Sequence, residues 1–287
     1  MRQTIYETIT QQIVIAIEEG ADLYKMPWHR SRNDITNPKN VSTSRSYRGL
    51  NIITLWMIAE AKEYNSGTWA TYQQWAEKGA QVRKGEKSTS VFFWKNLRES
   101  DEAQTDSEEG RARFVARAYS VFNADQVEGY EPPILPVLSE EVRIAEAEAF
   151  FSMIPATIET GGSQACYIPS TDRVQMVPFS QFDCATAYYS VLAHELTHWS
   201  GASSRLDRDL SGRFGSDSYA VEEIVAELGA AFIAGRLGLP SDPRKDHAPY
   251  IASWLKVLKG DSRAIFTAAS RAQQAADYLA GFSIAQA

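Results

Sequence analysis

Cysteine is scarce in this chain: Cys166 and Cys184 are the two thiols in 287 residues. They form neither a disulfide framework nor a metal-binding pair, so reduced thiols and a cytoplasmic setting are expected. Long apolar runs are missing as well. None approaches the roughly 20 residues that cross a bilayer. The first residues, Met1 to Glu7, carry an acid early and have no apolar stretch ahead of a small-residue cleavage site, so no signal peptide is expected. No internal repeat is visible. Excess positive charge, the usual footprint of a nucleic-acid binder, is absent too, since the formal net charge is -7. Hydrophobic residues at 44% and charged residues at 23% are those of a globular protein, and the length suffices for two domains.

The charge is distributed unevenly. Residues 1–130 hold 17 Lys and Arg against 17 Asp and Glu, and the remainder holds 12 against 19. Six of the acids in the first part lie between Glu99 and Glu109; without them its balance is +6. The basic character of the first half is masked by one acidic stretch.

Periodicity predicts an amphipathic helix over residues 3–19, where Ile5, Ile9, Ile13 and Ile17 recur four apart before Gly20. The polar stretch from Pro27 to Gly49 lacks a period and reads as a functional loop rather than core. A helix follows over residues 51–64, then a short one over 71–78 with a Thr cap. Residues 88–95, rich in β-branched and aromatic side chains, predict a strand, with 113–122 as its antiparallel partner. Pro132, Pro133 and Pro136 mark a linker over residues 131–139. Beyond it the pattern is mostly helical: 139–151, 185–199, 222–237, 249–259 and 261–281. The expected fold class is α+β, with a mixed α/β domain over 1–130 and a mainly helical one over 140–287.

His194-Glu195-Leu196-Thr197-His198 carries the clearest chemistry. On a helix, positions i and i+4 lie one above the other, so both imidazoles can hold one Zn²⁺ while Glu195 stands beside it. A catalytic zinc takes three protein ligands and a water, and a neighbouring carboxylate can remove that water's proton. Glu195 is therefore the candidate catalytic base. Downstream, Glu223 and Glu227 share one face of a second helix, and paired carboxylates on a small, apolar face require a cation. Glu223 is assigned as third ligand and Glu227 as the acceptor that orients a ligating histidine. The reverse assignment stays open, and Glu222 falls on a neighbouring face. The ion is expected to be Zn²⁺, with another divalent metal such as Mn²⁺ able to replace it. Tyr219 and His247 are candidates for stabilising an oxyanion, His247 from what reads as an exposed loop. His29 reads as polar surface, and Arg205 and Arg208 as a solvated loop. Ala193 to His198 resembles the zinc helix of thermolysin-like gluzincins, and Glu223-Ile224-Val225-Ala226-Glu227 is similar to their Glu-x-x-x-Asp element, with Glu in place of Asp.

Five of seven tryptophans (Trp28, Trp56, Trp69, Trp75 and Trp94) fall in the basic half among Arg and Lys. Aromatic faces stack on bases and cations track phosphates, the combination that holds single strands. Trp56 and Trp75 lie in helical patterns and are expected in the core. Tyr47, Arg48, Arg83, Lys84 and Lys87, in loop-like segments, are the candidate DNA contacts. Pro27-Trp28, Ser46 to Asn51, Thr68 to Trp75 and Gly79 to Lys87 resemble, in order, the N-terminal domain of ArdC-type antirestriction proteins, which is related to the N-terminal part of plasmid TraC primases. The resemblance covers essentially the whole chain, because that family joins this domain to a zincin-like metallopeptidase domain. It implies binding of single-stranded DNA and protection of incoming conjugative plasmid DNA from host restriction, with a host restriction protein or another DNA-associated protein as partner. Two rival readings are a binding protein with a structural metal, and a stress- or toxin-type zinc peptidase whose first domain recognises protein.

Overall fold

Several helix starts in this chain are set by short polar side chains that answer the free N–H groups of the first turn. In the computed structural model, which describes residues 4–23, 26–29, 37–96, 114–131, 139–213, 215–241 and 248–284, Thr4 opens α1 (Ile5–Gly20) through a capping box with Glu7. After strand β1 (Lys39–Asn40), Gly49 precedes α2 (Leu50–Ala61) with φ 55°, a conformation glycine adopts without strain. Strand β2 (Thr68–Thr71) ends on Thr71, which caps α3 (Tyr72–Glu77) in a second capping box with Gln74. The expected strand pair is present as β4 (Thr89–Asn96) and β5 (Phe114–Asn123), flanked by the short pair β3 (Gln81–Val82) and β6 (Val127–Glu128).

The main sheet has the order β1-β2-β5-β4, with β1 parallel to β2 and the other neighbours antiparallel. Its register sets Val91 opposite Tyr119 and Phe93 opposite Arg117. β4 lies at the edge, where the Asn51 side chain imitates a further strand: its amide donates to Phe92 O at 2.7 Å and its Oδ1 accepts from Phe92 N–H at 2.8 Å.

The second half begins with α4 (Glu140–Ser152), capped by Ser139, and the three-stranded sheet β7 (Thr157–Thr160), β8 (Cys166–Ile168) and β9 (Arg173–Met176), ordered β7-β9-β8. Helices α5 (Ala185–Ser200), α6 (Asp217–Leu237), α7 (Ala248–Gly260) and α8 (Ala264–Ile284) follow. α6 starts ahead of the expected residue 222 because Ser216 Oγ accepts the Tyr219 N–H and caps an earlier turn. The fold is mixed α/β, as expected. Among the described residues no helix is long and apolar enough to cross a membrane.

The apolar core runs without a break from α1 and α2 into α5 to α8. Trp56 lies 6.2 Å from Phe232 of α6, and Trp28 lies 6.0 Å from Trp254 of α7, ring centre to ring centre. Thr10 donates to Ser262 O at 2.7 Å, and Gln273 Oε1 accepts the Gly49 N–H at 2.9 Å. A smaller core under α3 gathers Ala70, Trp75, Ala80, Val82, Ala124 and Val127. Truncating one fully buried tryptophan costs about 3–5 kcal/mol, so each such ring matters to the whole fold.

Two expectations from the polar stretch 27–49 are corrected. Trp28, His29 and Tyr47 are buried rather than part of a surface loop. His29 Nδ1 accepts the Met26 N–H at 3.0 Å, which settles a buried imidazole locally instead of exposing it. Residues 30–36, the acidic stretch 99–109, linker residues 132–138 and His247 lie outside the described residues.

α5 and α6 approach closely because Gly229 offers no side chain: a Cβ there would stand 2.6 Å from Thr197 Cγ2, and Thr197 is fully buried. Thr197 cannot swing away, since its Oγ1 donates to Ala193 O at 2.8 Å. Gly229→Ala is expected to lower stability by about 1–3 kcal/mol, read as a drop of several degrees in thermal unfolding. An unchanged midpoint would show that the helices can part without cost.

Candidate metal centre

The interval of four residues between His194 and His198 places both rings on one face of α5, and α6 brings three glutamates against them. The two Nε2 atoms are 3.2 Å apart, and the Glu223 carboxylate straddles them, with Oε2 3.6 Å from His194 Nε2 and Oε1 3.6 Å from His198 Nε2. Tetrahedral zinc with bonds of about 2.0–2.1 Å holds two ligand nitrogens about 3.3–3.4 Å apart, so this spacing is that of a shared ion. His194, His198 and Glu223 form the candidate cation-binding group among the described residues.

The outer nitrogens are backed by carboxylates. His194 Nδ1 lies 2.7 Å from Glu227 Oε1, and His198 Nδ1 lies 3.2 Å from Glu222 Oε1. A proton donated outward on each Nδ1 leaves each Nε2 with a lone pair turned inward. Two lone pairs and a carboxylate then converge on one point, an arrangement that repels itself without positive charge. The titration of His194 expresses that demand. Burial pushes its pKa down, but the hydrogen bonds and charge of Glu223 and Glu227 outweigh burial and hold it up at about 10. Burial likewise pushes the Glu222 and Glu223 carboxyls upward, and their histidine partners, with Arg208 for Glu222, more than reverse it.

Glu222 is fixed by Arg208, whose side chain is 4% exposed. The guanidinium gives Nη2 to Glu222 Oε1 at 2.9 Å, Nε to Oε2 at 3.1 Å and Nη1 to Ser200 Oγ at 3.0 Å. Space for it comes from Gly201, where a Cβ would stand 2.7 Å from Arg208 Nη2. Arg205 is also engaged rather than solvated, stacking 4.0 Å over the Trp199 ring and pairing with Asp172.

Glu195 is 7% exposed and its Oε2 accepts the Tyr167 N–H at 2.8 Å, which ties it to β8. Tyr219, one turn before Glu223, hydrogen bonds to Glu223 and Tyr250. Burial, then the Glu223 charge, raise its phenol well above the usual tyrosine range. These groups line a cavity of about 610 Å³ with Cys166, Val191 and Leu210.

The candidate DNA contacts of the first half do not form one surface. Tyr47 is 5% exposed and buried beneath Phe93, so it presents no face to a base. Arg48 pairs with Asp277 of α8, and Arg83 pairs with Glu86 at 2.8 Å. Lys84 and Lys87 are exposed. Trp28, Trp56, Trp69 and Trp75 are each at most 1% exposed, which removes them as stacking platforms. Their size explains this: a half-sheltered sheet and two helices need large apolar fillers. Among the described residues, the large aromatics exposed in this half are Tyr72, Phe93 and Tyr119.

The whole chain superposes on the crystal structure of the antirestriction protein ArdC from plasmid R388. In its metal-free form the match has TM-score 0.81 and 37% identity over 99% of both chains; in its Mn(II)-bound form the TM-score is 0.78 with 38% identity over 98% of both. The chain belongs to the ArdC antirestriction family. Residues 3–122 match the N-terminal domain of anti-restriction factor ArdC, and residues 145–271 match a zincin-like metallopeptidase domain. The Sinorhizobium fredii protein y4eC is 54% identical over 96% of this chain and 91% of its own length. DNA primase TraC of Escherichia coli is 34% identical over 98% of this chain, which spans 20% of that primase.

Within this ArdC-type fold, sequence reasoning missed Glu222, Arg208 and the Tyr167 N–H. Helical spacing sets Glu222 off the Glu223–Glu227 face, and nothing local tells that His198 comes to meet it. The faint signal was an arginine in the connection between the two helices, close to a run of acids. Arg208→Met would leave the Glu222 carboxylate buried beside Ser200 without its cation. Stability is expected to fall by roughly 3–5 kcal/mol, and the double variant Arg208→Met/Glu222→Leu should regain part of it in thermal unfolding. Equal loss in the single and double variants would show that the pair is not coupled.

Proposed function

We propose that this protein protects incoming conjugative plasmid DNA from restriction by binding single-stranded DNA through a first domain, residues 1–130, and by a metal-dependent, peptidase-like centre in a second, residues 140–287. The observation that carries the catalytic part is the convergence of His194, His198 and Glu223 on one point, with Glu195 lining the same cavity. Membership of the antirestriction family supports the biological role, and the Mn(II)-bound relative supports a divalent ion. The match to a protein named DNA primase supports DNA as partner.

In this reading His194, His198 and Glu223 hold the ion, with Zn²⁺ favoured by two nitrogens and one carboxylate at tetrahedral spacing. A bound ion supplies an acidified water and polarises a carbonyl oxygen. Glu227 and Glu222 keep the two imidazoles in the tautomer that turns Nε2 inward. Glu195 has one oxygen held by the Tyr167 N–H, which aims the other into the cavity, where it takes a proton from water and later returns it to a leaving amine. Tyr219, kept a neutral phenol, is the donor for a developing oxyanion. The substrate is a peptide carbonyl of a protein met on DNA, such as a restriction-enzyme subunit. Lys84 and Lys87 are exposed with no ion-pair partner among the described residues and can meet phosphates, whereas Arg48 and Arg83 must first give up their carboxylates.

Metal titration followed by elemental analysis should find one divalent ion per chain in the wild type and in Glu195→Gln, and none in His194→Ala. Glu222→Ala and Glu227→Ala should each weaken metal affinity about 10–100-fold. Loss of metal in Glu195→Gln would sink the role given to Glu195. Incubation with restriction-enzyme subunits should give cleavage that a chelator and Glu195→Gln both abolish. Protection of DNA that persists with no cleavage would leave a binding protein instead.

A further inference from the structure

With the four described tryptophans of the first half buried, the large aromatics exposed there among the described residues are Tyr72 on α3 and a pair on the β4–β5 ribbon. Phe93 is 49% exposed and Tyr119 is 41% exposed. They are diagonal neighbours on one face of the antiparallel pair, with centroids 5.5 Å apart and ring planes at 80°. An edge-to-face pair leaves one ring with both faces uncovered by the other, so bare π surface stands on the sheet. Beneath lies Tyr47, whose ring centre is 6.4 Å from that of Phe93 and whose hydroxyl accepts from Asn40 Nδ2 at 3.3 Å. The buried tyrosine is thus a floor that holds Phe93 up. Directly across from Phe93 stands Arg117, exposed and without a carboxylate partner among the described residues. The β4 backbone at Phe92 is pinned by Asn51, so the platform is carried on a braced edge rather than a free one.

We propose that Phe93 and Tyr119 form the stacking platform for single-stranded DNA and that Arg117 pairs with the adjoining phosphate. This rests on the single-strand reading above and assigns it a surface. Bare rings are sequence-tolerant because every base has a π face, and a guanidinium beside them with no carboxylate partner among the described residues selects a polyanion over an apolar protein segment. The direct cross-strand partner of Tyr119, Val91, is fully buried, so the ribbon changes from core to solvent within two residues and the exposed pair is not simply the continuation of the core.

The test uses the full chain and a fluorescein-labelled oligodeoxythymidine, with anisotropy measured across a salt series and thermal unfolding recorded for each variant. Phe93→Leu and Tyr119→Leu keep apolar bulk on the strand and remove the π face. Each is expected to weaken binding roughly 5- to 100-fold, with the salt slope unchanged. Arg117→Gln should reduce the magnitude of that slope by about 0.7, the share of one phosphate on a single strand. Phe179→Leu, an equally exposed aromatic in the second half, should bind as the wild type does. Wild-type binding with unaffected Phe93 and Tyr119 variants would overturn the platform while leaving the single-strand reading intact. Lower melting points with unchanged affinity would assign the pair to ribbon stability and overturn it too. A wild type that ignores the oligonucleotide, or prefers duplex, would overturn both.

Discussion

Four carboxylates, those of Glu195, Glu222, Glu223 and Glu227, are buried around two imidazoles, and the Arg208 guanidinium is the permanent cation buried with them among the described residues. Uncompensated charge of this density is among the costliest things a fold can enclose. Much of the second half follows from it. α5 and α6 must pack closely enough for glutamates on one to reach histidines on the other, which Gly229 allows. The connection between them must return Arg208 to the end of α5, which Gly201 allows. What remains is a demand for positive charge at the point where Nε2, Nε2 and a carboxylate converge. A proton on His194 answers it in part, and a divalent ion answers it more fully.

The same constraint reaches the first half through packing. Glu227 lies five residues before Phe232, which Trp56 of α2 contacts, and Asn51 at the start of α2 brackets Phe92 of β4. One helix therefore stands between the ribbon that carries the exposed aromatics and the helix that carries the carboxylates. Arg48 to Asp277, Gln273 to Gly49 and Lys259 to Glu18 add polar ties along the same boundary. The first half is braced against the helices that carry the metal centre, and its ribbon inherits that rigidity.

What was legible in the sequence is what depends on spacing within one element. His194 and His198 at i, i+4 and Glu223 and Glu227 at i, i+4 announce their faces before any fold is known, and the caps at Thr71 and Ser139 announce their helices. What was not legible depends on which elements meet. Glu222 lies off the face its neighbours share and becomes useful because His198 comes to it. Arg208 reads as loop charge until the loop is seen to fold back. The tryptophans show the limit of composition most plainly: aromatics interleaved with cations suggested a stacking surface, but the four described rings were needed as core, and smaller rings on a sheet reached solvent. Tyr47, singled out as a DNA contact, is itself buried and lies beneath an exposed ring rather than being one.

The pair of solved relatives bears on whether such a metal is scaffold or reagent. A structural zinc site is formed by the ion, and removal of the ion unfolds it. The R388 relative has this fold both metal-free and with Mn(II), and the chain matches the two forms at TM-scores of 0.81 and 0.78. An architecture that stands without its ion has organised the ligands by other means. In this chain those means are visible: Glu227 behind His194, Glu222 behind His198, Arg208 behind Glu222 and the Tyr167 N–H behind Glu195. The two imidazoles and Glu195 are thus held by this chain's own side chains and backbone, which is the support the centre proposed above requires.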